Sequence, residues 1–306
     1  MTKEAVCGTL DGVKYVKISG VSQLDVNKTF DCGQCFRFEP VKESSHDVEF
    51  CGVAFGRFVS FAQDGDTLYV YNTDERDFRE IWSRFLALDV DYGAIAEDIA
   101  ARSDNEGLQR AIEYGEGIRI LRQDPWEAVC SFIISQNNNI PRIKKIVEAL
   151  AARCGERIEI PEALAKRLGY EGVAYAFPSA ESLVSLGVDG LFEMKTGFRA
   201  KYIYDAAVRE VNGEIDHEYL RVCDSTADAV KSLCAIKGVG PKVASCALLF
   251  GYERYDAFPV DVWIKKVIEK YFLVSPKDFT PDILGKYAGI AQQYLFYYER
   301  YINEGK

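Results

Sequence analysis

No run of about eighteen consecutive apolar residues occurs in the 306-residue chain, which argues against a membrane-spanning helix. The opening stretch MTKEAVCGTLDGVKYV lacks the charged, apolar and small-residue order of a secretory signal, so a cytoplasmic protein is expected. Internal repeats and low-complexity segments are missing too. With 48% hydrophobic and 27% charged residues, the composition is that of an ordinary globular protein rather than a disordered one. The chain also lacks any excess of positive charge, its net charge being -10. That argues against a nucleic-acid partner only until the charge is located. Residues 1–120 hold 13 Lys+Arg against 22 Asp+Glu, whereas residues 121–306 hold 24 against 25. The near-neutral second part can still present a basic face. Cysteine is not scarce, but its count of 9 is odd and most lie in apolar runs such as AVCSFII, as free thiols do in a reducing compartment. Cys32-x-x-Cys35, with Cys7 and Cys51 near in sequence, is a weak zinc signal, because a second such pair and an adjacent histidine pair are both absent.

What is present divides the chain into an α+β protein. VEFCGVAFGRFVSFAQDGDTLYVYNT, from Val48 to Thr73, is rich in Val, Phe and Tyr and is broken by FG and DGD turn signals, which predicts an antiparallel sheet. After Asp74 the apolar period becomes helical and stays so nearly to the end. The expected organisation is a sheet domain with flanking helices over residues 1–115 and a helical domain over residues 116–306. In RQDPWEAVCSFIISQNNN, Asp124 is placed to cap a helix, Pro125 to occupy its first position, and the asparagine run to stop it.

The stretch AIKGVGPKVASCALL predicts two helices joined by a tight turn, with Ser225 or Thr226 capping the first and Pro241 opening the second. Gly238, Val239 and Gly240 form the turn. Its glycines permit left-handed or closely approached backbone and leave N–H groups exposed at a helix N-terminus, where a DNA phosphate is favoured. A plain helical hairpin is the structural alternative. Lys242 falls in the first turn of the second helix, where the dipole disfavours a cation and so favours the neutral amine that covalent catalysis needs. A solvated lysine near phosphate fits the same position. Cys246, four residues on, shares its helix face. Asp261 in FPVDVW precedes the amphipathic segment VWIKKVIEKYF, so it is either simply a helix cap or also a carboxylate able to stabilise positive charge on a sugar ring.

LCAIKGVGPKVASC followed by FPVDVW resembles the helix-hairpin-helix, glycine-proline-aspartate superfamily of DNA glycosylases, and within it the bifunctional 8-oxoguanine DNA glycosylase/AP lyase branch. GQCFRF, GIRILRQDPWE, SFIISQNNNIPRI, FPSAESL, TGFRAKYI and YAGIAQQYLF resemble the same family in the same order. The resemblance implies a TATA-binding-protein-like sheet domain before the helical catalytic domain. It implies Lys242 as the amine that attacks the sugar C1′ and forms a Schiff base, and Asp261 as the carboxylate that stabilises the reacting sugar. Cys246 and Phe296 are implied on the two faces of the extruded base, Gly33 as the carbonyl accepting from N7–H of 8-oxoguanine, and Gln292 at the Watson–Crick edge. On the opposite strand, Asn137, Arg142 and Arg199 are implied as partners of the orphaned cytosine, with Phe198 as the wedge.

The family likeness also implies duplex DNA bearing 8-oxoguanine as the partner, a monomer, no membrane, and residence with the DNA: the nucleoid of a prokaryote or the nucleus of a eukaryote. No cofactor is expected. Some relatives carry an iron–sulfur cluster after the catalytic aspartate, but here no cysteine follows Cys246. A monovalent cation on the carbonyls of Cys234, Ile236 and Val239 is a structural site the likeness suggests. The sequence departs from the eukaryotic pattern at Trp263, where histidine is common, at Phe198 in place of tyrosine, and at Pro141 before Arg142; the last predicts relaxed checking of the opposite base. A monofunctional glycosylase for alkylated or deaminated bases would not need Lys242, and a noncatalytic hairpin module would need neither Lys242 nor Asp261.

Overall fold

The computed structural model describes residues 5–304. Its first part is a six-stranded antiparallel sheet of β1 (Ala5–Leu10), β2 (Val13–Ile18), β3 (Phe38–Pro40), β4 (Val48–Ala54), β5 (Arg57–Asp64) and β6 (Thr67–Tyr71), in the order β1-β2-β6-β5-β4-β3. The antiparallel sheet expected between Val48 and Thr73 is formed there by β4 to β6. Three hairpins turn on two residues each, Asp11-Gly12, Phe55-Gly56 and Gly65-Asp66; both residues of the first two and Gly65 of the third have positive φ, as the right-handed twist of the strands favours. β4 and β5 are buried along nearly their whole length. Both faces are covered, which explains why these strands read as continuous apolar runs.

One face packs Phe38 and Phe61 against Phe30 of helix α1 (Val26–Asp31) and against Trp82 and Phe85. The other face packs Phe58 and Tyr71 against Leu164 of a short helix at Glu162–Leu168. The same outer side holds Glu49, whose carboxylate takes two hydrogen bonds from Arg167, at 2.5 and 3.0 Å, and one from Ser44 at 2.5 Å. Burial raises the cost of that charge, yet Arg167, Ser44 and Ser60 outweigh it and hold the carboxyl below its ordinary range.

Helices α2 (Tyr92–Ala101) and α3 (Glu106–Tyr114) begin a separate helical core. Their buried residues Tyr92, Ile95, Ile99, Leu108 and Ala111 share that core with Leu248, Ile290 and Leu295 of the C-terminal part, although the sequence division at residue 115 assigns them to the sheet half. Asp124 caps α4 (Pro125–Ser135), accepting from the Glu127 amide at 2.9 Å, and Pro125 takes the first helical position. The asparagine run both stops this helix and starts the next. Asn137 has φ of 47°, and Asn139 caps α5 (Ile140–Cys154) by accepting from the Arg142 amide at 3.0 Å. Among the described residues no helix is long and apolar enough to cross a membrane.

Candidate active site

The hairpin forms as the sequence predicts. Ser225 caps α6 (Thr226–Leu233), and α7 (Pro241–Gly251) opens at Gly240, which supplies no side-chain cap. The two glycines differ. Gly238 is left-handed, with φ of 76°, whereas Gly240 is extended at φ of -105° and has open space where a Cβ would sit. Nothing inside the protein demands glycine at 240; an approaching ligand would. Lys242, part-buried, is the second residue of α7, and Cys246 is buried one turn later.

Asp261 caps α8 (Val262–Val267), its Oδ1 accepting from the Ile264 amide at 2.8 Å, so Oδ2 remains for a ligand. Lys242, Cys246 and Asp261 line one cavity of about 1010 Å³, together with Gly33, Asn137, Gln292 and Phe296. The lysine and the aspartate therefore share a hollow large enough for a nucleotide. Desolvation raises the Cys246 thiol above its ordinary range, opposed by the Lys242 ammonium beside it and reinforced by Asp261. The thiol thus stays neutral and adds no charge to the cavity wall.

Gly33 reaches this cavity from the sheet half. Its φ of 78° strains any other residue, and an added Cβ would crowd Ile140 at 3.2 Å and touch Phe296 at 3.7 Å. Two glutamines that sequence reasoning passed over fix the loop. Buried Gln34 donates to the carbonyls of Thr29 at 2.8 Å and Arg119 at 2.7 Å and accepts from the Leu121 amide at 2.8 Å; Gln293 donates to the Cys32 carbonyl at 2.8 Å. Their only signal was position, one inside CGQC and the other beside Gln292. Gln292 and Phe296 come from α9 (Ala288–Glu304). The Gln292 side chain is buried, and its Oε1 has no hydrogen-bond partner among the described residues.

The four residues expected to handle the opposite strand cluster less uniformly. Arg199 is 3% exposed, and its guanidinium donates to the carbonyls of Gln136, Asn137 (2.9 Å) and Thr196 (3.1 Å). Four of its five N–H groups are engaged in this way, three of them on the Gln136–Asn137 carbonyls. In this structure Arg199 is thus a brace for the asparagine loop. Arg142 and Asn137 are exposed, and Phe198 is 51% exposed with the Arg199 guanidinium 4.4 Å from its ring centroid. Trp263, which lines the cavity, carries the Lys266 ammonium 4.8 Å from its ring centroid.

Around the hairpin, the Ile236 carbonyl accepts from the Val239 amide at 3.0 Å and keeps a second lone pair. Cys7 is exposed on β1 while Cys32, Cys35 and Cys51 are buried, and among the described residues no three His, Cys, Asp or Glu converge as metal ligands.

A glycine hairpin, a lysine and a capping aspartate around one nucleotide-sized hollow define a class of protein, and comparison with known families agrees: residues 130–286 match the HhH-GPD superfamily of base excision DNA repair proteins. The chain belongs to that superfamily. Residues 18–129 match the N-terminal domain of 8-oxoguanine DNA glycosylase, which sets the branch. Over its whole length the chain is 40% identical, with a TM-score of 0.85, to MBOgg1 solved with a low-affinity DNA ligand, and covers 100% of that chain. It is 35% identical, again with a TM-score of 0.85, to the Clostridium acetobutylicum 8-oxoguanine glycosylase/lyase solved with duplex DNA holding cytosine opposite 8-oxoguanine; 99% of this chain and 100% of that one are covered. The Saccharomyces cerevisiae N-glycosylase/DNA lyase is 33% identical over 67% of this chain, which spans 54% of that relative's length.

Proposed function

We propose that the protein removes 8-oxoguanine paired with cytosine from duplex DNA and then nicks the strand at the resulting abasic sugar. The observation that carries this reading is the shared cavity: Lys242 and Asp261 face one hollow that also receives Gly33 from the other domain. The glycosidic bond of a stacked purine is inaccessible, so the nucleotide must be extruded into that hollow at a cost of a few kcal/mol. The base lies between Cys246 and Phe296, with its edge toward Gln292. The Gly33 carbonyl accepts from N7–H, a hydrogen that 8-oxoguanine has and guanine lacks.

Lys242 first gives up its ammonium proton to solvent, and the freed amine attacks C1′ as the bond from C1′ to the base breaks; the departing base takes the electron pair and then a proton. Asp261 Oδ2 stabilises the positive charge developing on the sugar. Opening of the ring gives the imine on Lys242. Loss of a C2′ proton then expels the 3′ phosphate, and water releases the lysine. Hairpin amides at Gly238–Gly240 hold a phosphate of the lesion strand, while Asn137 and Arg142 meet the orphaned cytosine and Phe198 fills the gap in the stack. This chemistry needs no cofactor, one copy of the chain supplies every group, and a cation on the hairpin carbonyls would only brace the turn.

Borohydride trapping on a duplex containing 8-oxoguanine tests the assignment. Lys242→Gln is expected to abolish the covalent complex, and Asp261→Asn to slow base release with damaged-DNA binding kept. Wild-type yield from Lys242→Gln would overturn the nucleophile.

A further inference from the structure

We infer that Tyr202 is a positioning residue that locks the phosphate-binding hairpin to the exposed aromatic Phe198, so that gripping the lesion strand and opening the stack are one mechanical event. The inference rests on the proposed base-extruding activity.

Three contacts carry it. At the hairpin, a Cβ on Gly238 would run into the Tyr202 ring, so the turn lies directly on that ring's face, and Gly238 is left-handed at φ of 76°. One helical turn further along the same helix, Ala200–Val211, the Asp205 carboxylate accepts from the Lys237 backbone amide at 2.8 Å. The turn is therefore held at two consecutive residues by one helix. At the helix's other end, the Phe198 ring meets Tyr202 edge-on, with centroids 5.9 Å apart and planes at 73°. Phe198 is followed by Arg199, whose guanidinium holds the carbonyls of Gln136 and Asn137 at the rim of the cavity.

A half-exposed aromatic ring ordinarily has several rotamers open to it. Here its side wall is the Tyr202 ring, which is itself wedged against the hairpin glycine. An apolar group inserted into a base stack lowers the cost of extrusion only if it does not recoil when the duplex presses back. Tyr202 supplies that backing, and phosphate held by the hairpin presses on the same ring through Gly238.

The test is single-turnover base release by Tyr202→Leu and Tyr202→Phe on two duplexes, one with 8-oxoguanine opposite cytosine and one with it opposite an abasic analogue, where extrusion is already cheap. Each variant rate is divided by the wild-type rate on the same duplex. Tyr202→Leu is expected to lose about ten-fold or more on the paired lesion and to lie within about two-fold of wild type on the unpaired one, while Tyr202→Phe, which keeps the ring, matches wild type on both. Equal loss on both duplexes would make Tyr202 a structural residue of the catalytic cavity and overturn the inference, as would a folded Tyr202→Leu with no loss. If Tyr202→Leu does not fold, Asp205→Asn, which keeps the shape but weakens the hold on the Lys237 amide, is expected to show the same paired-selective loss at smaller size; equal loss on both duplexes there overturns it too. Should the wild type release an alkylated base and not 8-oxoguanine, the substrate reading fails separately, and the paired and unpaired comparison is run with that base.

Discussion

A buried amide oxygen without a partner costs about 1–3 kcal/mol, and Gln292 Oε1 is such an atom at the wall of the cavity. The sequence tolerates that cost where a ligand supplies the missing donor. Gln292→Leu keeps the volume and removes the unpaired group, so its melting temperature is expected to equal or exceed that of the wild type. Base release from the 8-oxoguanine duplex should fall by about ten-fold, the equivalent of about 1.4 kcal/mol in transition-state stabilisation. A differential melt and a single-turnover assay on one preparation check both halves; a variant less stable yet fully active would remove Gln292 from the base-reading role. Cys246 obeys the same logic with the opposite chemistry. Desolvation keeps its thiol protonated despite the neighbouring Lys242, so the cavity wall is neutral at Cys246, which suits the base proposed to lie against it.

At the level of elements, the hairpin separates two uses of glycine. Gly238→Ala meets both a left-handed backbone and the Tyr202 ring, so a loss of stability of about 1–3 kcal/mol is expected along with weaker DNA binding. Gly240→Ala meets neither, and at a helix cap alanine costs only about 1 kcal/mol or less. Its melting temperature should barely move while duplex affinity falls, because the Cβ would occupy the open space where a phosphate is proposed to sit. Chemical denaturation and a filter-binding titration separate the two. Much of this hairpin was readable in the sequence, since caps and first-turn prolines are local: Asp124, Ser225, Pro241 and Asp261 all do what their spacing predicts. The sheet was half readable. β4 to β6 announce themselves by composition, whereas β1 and β2 went unnoticed although Asp11-Gly12 is a strong hairpin signal, because exposed β1 lacks a clear apolar alternation. Arg199 was unreadable in a different sense. Its residue type suggests DNA contact, and only the fold reveals that the carbonyls of Gln136 and Asn137 already occupy its guanidinium. Gln34, Gln293 and Tyr202 act through partners distant along the chain, which no local pattern encodes.

For the whole molecule, the cavity has correct geometry only if the sheet half, which delivers Gly33, stays fixed on the helical half. Gln34 and Gln293 secure one side of that junction, and on the sheet's outer face Glu49 and Arg167 tie β4 to the Glu162–Leu168 helix. The pair is 1% and 10% exposed at its side chains, and the Arg167 guanidinium lies 3.8 Å from the Tyr71 ring centroid. Removing one partner strands the other charge. Glu49→Gln is therefore expected to lower stability by about 3–5 kcal/mol, whereas the double change Glu49→Leu with Arg167→Met, which strands no charge and costs only the bonds from the Ser44 and Ser60 hydroxyls, should recover most of it. The pH dependence has a definite sign. The Glu49 carboxyl is depressed in the folded protein, so its contribution is present above the unfolded carboxylate range and is lost as pH falls through the folded value. Thermal melts taken at descending pH should show the wild type losing stability into the acid range more steeply than the double variant and falling below it once Glu49 is protonated, because Arg167 is then left buried without its partner charge. Parallel curves would mean that the pair contributes nothing to holding the outer helix on the sheet, and that the junction rests on apolar packing around Phe58 and Leu164 alone.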